Sequence, residues 1–69
     1  MWEVRAAAGR CDELVAYVRE HADPDAQVYR SADGEPRVVV IDPSGSGVPD
    51  VPDELIARPA HEWRFLPVP

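Results

Sequence analysis

Lysine is missing altogether and cysteine occurs once, at position 11. A lone cysteine excludes an internal disulfide, and no cluster of cysteine and histidine offers a structural zinc site. No apolar run approaches the roughly 20 residues of a membrane-spanning helix, and no charged segment leads into an apolar one as in a secretory signal. These absences lead us to expect a soluble, cytoplasmic protein that uses neither a metal nor a cofactor. Basic residues are scarce as well. There are seven, all arginine, against thirteen acidic ones, for a net charge of −6. Binding to phosphates needs a basic surface, so nucleic acid is excluded as a partner. The arginine bias, beside abundant alanine, valine and proline, is what a GC-rich bacterial genome produces, and it carries no functional weight. With 69 residues the chain has room for one small domain, of a size at which self-association often supplements a single core.

What is present reads as a sequence of short elements. Residues 1–6 alternate, with Trp2, Val4 and Ala6 on one face and Met1, Glu3 and Arg5 on the other, the period of a half-buried strand. From Arg10 to Ala22 the apolar residues Cys11, Leu14, Val15, Val18 and Ala22 recur at helical spacing. Asp12 and Glu13 at its start and Arg19 and His21 at its end complement the helix dipole, and Asp23-Pro24 stops it. A strand over Ala26–Ser31 and another over Pro36–Ile41 flank Ala32-Asp33-Gly34, a hairpin signal. A three-residue loop with Gly34 left-handed pairs Tyr29 with Arg37 and Val28 with Val38. A two-residue loop would set Arg30 against Arg37, which like charges disfavour. Val38 to Ile41 is continuously apolar, as in an interior strand.

Residues 42–52 hold several turn formers and little to bury, and read as an exposed, flexible loop. Pro52–Ala57 suits one or two helical turns capped near Asp50 or Val51, with Pro59 ending them at Arg58. The last strand is expected over His61–Leu66. Set antiparallel to the first with Glu3 opposite Arg64, it brings Arg5 to Glu62, Val4 to Trp63 and Trp2 to Phe65, so charged and apolar pairs agree in one register.

The order strand, helix, strand, strand, short helix, strand gives a single α+β domain over residues 1–69. We expect a ferredoxin-like four-stranded, antiparallel or mixed sheet, with the first and third strands central and parallel and one main helix on one face. The helix-side face collects Trp2, Val4, Val28, Val38, Val40, Trp63 and Phe65. The other carries Met1, Tyr29, Val39, Ile41 and Leu66 among charges, too apolar for a purely solvated surface, and we expect it to be buried in a homodimer.

This order, its short connections and the aromatic final strand His61-Glu62-Trp63-Arg64-Phe65 resemble the dimeric α/β-barrel superfamily, which includes the antibiotic-biosynthesis monooxygenases. The chain departs from that family at Asp42–Arg58, where its members carry a full second helix. The resemblance implies a homodimer and, as an enzyme, cofactor-free oxidation of an aromatic or polyketide-type substrate.

For such chemistry His61 is the candidate base, with Trp63 and Tyr29 to hold a planar substrate. Against that, aromatics at strand spacing ordinarily belong to cores, and a histidine beside the end of a proline segment ordinarily faces solvent. Cys11 lies near a helix N-terminus, where thiols are activated, but it also belongs to the apolar stripe and precedes two acids, so an inert thiol is expected. Ser44-Gly45-Ser46-Gly47 has the glycines of a phosphate loop without the lysine or the following helix. The acidic run Asp50–Glu54 lacks calcium-loop spacing. The reading that ranks first is a non-catalytic homo-oligomeric protein that binds a partner protein or a small apolar ligand. An enzyme ranks second, and an accessory domain of a larger assembly third.

Overall fold

The computed structural model describes residues 1–45, 47–64 and 68. It is α+β, with one α-helix and a four-stranded antiparallel sheet. The elements are β1 (Trp2–Arg5), α1 (Cys11–His21), β2 (Gln27–Arg30), β3 (Arg37–Ile41), a single 3-10 turn (Asp53–Leu55) and β4 (His61–Glu62). Across the sheet they run β2-β3-β1-β4.

β1 and β3 are the central pair, as the apolar run in β3 requires, but they are antiparallel and not parallel. The connections dictate this. The helix returns the chain so that β2 starts in the direction of β1, the tight hairpin reverses it, and β3 therefore opposes both neighbours.

Leu14 and Val18, one helical turn apart on α1, are wholly buried against Val4, Val38 and Val40. Each such side chain contributes roughly 1.5–3 kcal/mol by leaving water. Trp2, Ala6, Val48 and Leu55 complete the buried cluster. Val48 corrects one expectation: the loop after β3 is not merely exposed, because Val48 is buried and Val51 packs against the core. Tyr17 of α1 holds this loop down, its hydroxyl donating to the Asp50 carbonyl at 2.8 Å. The helical segment expected over 52–57 shrinks to the 3-10 turn, with Pro52 at its cap.

Both strand registers differ from those the sequence suggests. In the hairpin, Tyr29 faces Val39 and Val28 faces Val40, two residues beyond the expected pairing. Ser31 closes the longer loop: its hydroxyl donates to the Glu35 carbonyl at 2.8 Å and accepts the Arg37 N–H at 3.0 Å. Pro36, without an N–H, could not serve in that ladder. Gly34 is left-handed as expected, with φ of 74°.

At the other edge Glu3 faces His61, not Arg64, and Trp2 faces Glu62, not Phe65. Trp63 lies beside Met1, whose carbonyl accepts the Trp63 N–H at 2.7 Å. The cause is upstream. Ile56 bridges Ala6, and the Ala57 N–H donates to the Arg5 carbonyl, so the segment after the 3-10 turn already occupies the far end of β1. The chain loops out at 58–60 and returns at His61. A three-residue slip is odd in number, so it moves β4 side chains to the opposite face. Trp63 therefore leaves the expected helix-side cluster for the open face, while Phe65 and Leu66 lie outside the described residues.

Candidate functional site

The helix layer covers one face of the sheet. On the other, the registers align Tyr29, Val39, Glu3 and His61 in one row across all four strands. Ile41 and Trp63 lie one row over, towards Met1. Tyr29 is 52 % exposed, Ile41 47 % and Trp63 41 %, a large apolar display for so small a molecule. Met1, Tyr29, Val39 and Ile41 thus share the face expected of them, and Leu66 is outside the described residues.

The three candidates for catalysis share this face without forming one site. Tyr29 sits on β2 and His61 on β4, the two edges of the sheet, three strand spacings or roughly 14 Å apart. Tyr29 donates its hydroxyl to Gln27 Oε1 at 3.0 Å. His61 and Trp63 do come together, with rings stacked at a centroid distance of 5.6 Å and an interplanar angle of 14°.

Beside that stack lies a charged corner which sequence reasoning assembled only in part. Arg5 and Arg37 stand directly opposite each other. Arg37 donates to Glu35 at 3.1 Å and to Glu3 at 3.4 Å, and Arg5 pairs with the same Glu35 oxygen. The hydrogen bond from Arg37, with Arg5 and Arg58 nearby, holds the Glu35 carboxyl below its usual range, although its partial desolvation opposes this. Glu35 and Arg58 went unnoticed because one lies in the hairpin loop and the other in the segment before β4. The available signal was the sequence Glu35-Pro36-Arg37, which places an acid two residues from an open-face arginine. On the helix side, Arg30 donates to Asp12 at 3.0 Å, tying β2 to the start of α1; this bond raises the Arg30 pKa.

The other motifs are occupied locally. The Ser44 N–H and hydroxyl both donate to Asp42 Oδ1, at 2.8 and 2.7 Å, so this stretch closes on its own aspartate instead of cradling an anion. Cys11 is half-buried and packs against the core. His21 stacks on Tyr17 at 4.0 Å. Among the described residues no group of three or more histidine, cysteine or acidic side chains could hold a metal ion, and no helix is long and apolar enough to cross a membrane.

Among the described residues, three clefts that indent the surface lie away from α1, whose residues line none of these three. One of about 510 Å³ lies at the end of the sheet, among Met1, Trp2, Asp42, Gly47, Glu62 and Trp63. A second of about 570 Å³ runs beside the 3-10 turn, among Val48, Val51, Ile56 and Pro59. The third, of about 310 Å³, is the charged corner itself. Compared with protein-family models, with curated proteins and with solved structures, the chain matches none.

Proposed function

We propose that the chain is a non-catalytic binding protein of ferredoxin-like topology, working in the cytoplasm, whose open sheet face is closed by a second copy of itself as in the dimeric α/β barrels it resembles. The observation that carries this is the uncovered face, on which Tyr29, Ile41 and Trp63 stay exposed while Trp2, Val4, Val38 and Val40 on the opposite face are buried. Such patches mark interaction surfaces. A second copy suits the patch because the face bears both signs of charge, in Arg5 and Arg37 against Glu3 and Glu35, and an isologous contact pairs a surface with itself. The small core argues the same way. Nine buried apolar side chains among the described residues form a modest core for an isolated domain.

The alternative of a cofactor-free monooxygenase has the His61–Trp63 stack in its favour. It lacks the ring-sized space between helix and sheet that such a reaction requires, because Leu14 and Val18 fill it. The test is the solution mass of the wild type against Ile41→Glu. A dimer that the charge dissociates supports the proposal. A monomeric wild type turns the face over to a small apolar ligand or a different protein.

A further inference from the structure

The cleft at the β1–β4 edge of the open face is lined by Arg5, Arg37, Arg58, Glu3, His61 and Trp63, with Val4 at its base. Its volume of about 310 Å³ sits at the lower end of small-molecule sites, which span roughly 300–1,000 Å³. The charges around it do not cancel. Three guanidiniums face Glu3 and Glu35, which leaves one positive charge on a chain whose net charge is −6.

The contacts locate the surplus. Arg37 divides itself between Glu3 and Glu35, and Arg5 shares the same Glu35 oxygen. Arg58 makes no ion pair within 4.0 Å among the described residues, though it is exposed at the rim. The Arg5 Nε is shielded from water and has no acceptor. Next to these donors stand the rings of His61 and Trp63, stacked on each other, with Trp63 41 % exposed.

The geometry points to a binding site for a small aromatic monocarboxylate, its carboxylate on the fork of Arg58 and its ring against the exposed Trp63. A guanidinium matches a planar carboxylate with two parallel hydrogen bonds. A dianionic phosphate suits the corner less well, since Glu3 and Glu35 flank a surplus of a single charge. Glu3, Arg5, Arg37 and Trp63 also belong to the face assigned to the second copy, so the site requires that its β1–β4 edge stay open at the rim of that contact, and ligand binding is read separately from the solution mass.

Benzoate is the probe, followed by calorimetry and by the Trp63 indole N–H resonance. The comparison ligands are benzamide, acetate and inorganic phosphate. Wild-type protein binds benzoate more tightly than all three. Arg58→Gln weakens benzoate by about tenfold, the loss expected for one charge-assisted pair, and removes the preference over benzamide. Arg58→Lys recovers part of it, because an ammonium keeps the charge without the fork. Trp63→Leu weakens benzoate and leaves acetate unchanged. Both positions are exposed, so the variants keep the fold, and Arg19→Gln on the outer side of α1 serves as the unaffected control. Four results overturn the assignment: no benzoate binding, equal affinity for benzamide, phosphate or acetate binding as tightly as benzoate, or an Arg58→Gln variant with the preference intact.

Discussion

Arg5 and Arg37 stand opposite each other in the β1–β3 ladder, two like charges in a position where repulsion is expected, and Glu35 binds both. Charge patterning therefore acts across this sheet through a third residue from the hairpin loop. The bond from Arg37 lowers the Glu35 pKa in the folded state. Folding thus favours the ionised carboxylate. Its contribution is complete above the ordinary glutamate range, about 4.3, and is lost as pH falls through the lowered folded value. Glu35→Gln is expected to melt below the wild type at neutral pH, with the gap closing in acid and narrowing in high salt. Thermal melts between neutral and acidic pH check this, and a gap of constant size would contradict it.

Leu14 is fully buried between α1 and the central strands. Leu14→Ala is expected to cost about 2–5 kcal/mol in urea unfolding, a large part of the stability of a domain this small. Ala16→Ser, on the exposed side of the same helix, is expected to stay within about 0.5 kcal/mol. A mild effect of Leu14→Ala would mean that the space under the helix is not filled, and would revive the enzyme reading.

Two glycines in the loop after β3 have nearly the same left-handed backbone, Gly45 with φ of 72° and Gly47 with φ of 65°. Their surroundings differ. A Cβ on Gly45 meets open space, whereas one on Gly47 falls 2.8 Å from Glu62 Oε1 and 3.2 Å from Trp2 Cδ1. Gly45→Ala carries only the backbone penalty, about 1–2 kcal/mol. Gly47→Ala carries that penalty and also presses on the buried ring of Trp2, beyond the exposed Glu62 carboxylate that can swing aside, so it is expected to be the more destabilising of the two in the same unfolding assay. Equal losses would show that the loop does not pack on β1.

The elements were legible in the sequence because their periods are local. Trp2 and Val4 at spacing two, and Leu14 and Val18 at helical spacing, announce their own buried faces. Register was not legible, because it depends on distant closures: the hydroxyl of Ser31 under the hairpin, and the Ala6–Ile56 bridge ahead of β4. The parity of each slip decided what survived. The hairpin moved by two, so Tyr29, Val39 and Ile41 kept the open face assigned to them. The last strand moved by three, so Trp63 and His61, two residues apart, changed sides together. The charge pairs proposed with β4 were an attractive pattern, yet exposed pairs contribute so little that backbone closure overrode them. Arg5 pairs instead with Glu35 from the hairpin loop, and Glu3 with Arg37 of β3.

The measurement that bears most directly on the central claim is light scattering on the purified chain at micromolar concentration, beside Ile41→Glu. The account predicts a wild-type mass twice the 7.6 kDa of one chain, falling to a single chain in the variant while the far-ultraviolet spectrum stays unchanged. A wild type of 7.6 kDa throughout, or a variant as dimeric as its parent, would contradict the assignment of the open sheet face as the surface on which two copies meet.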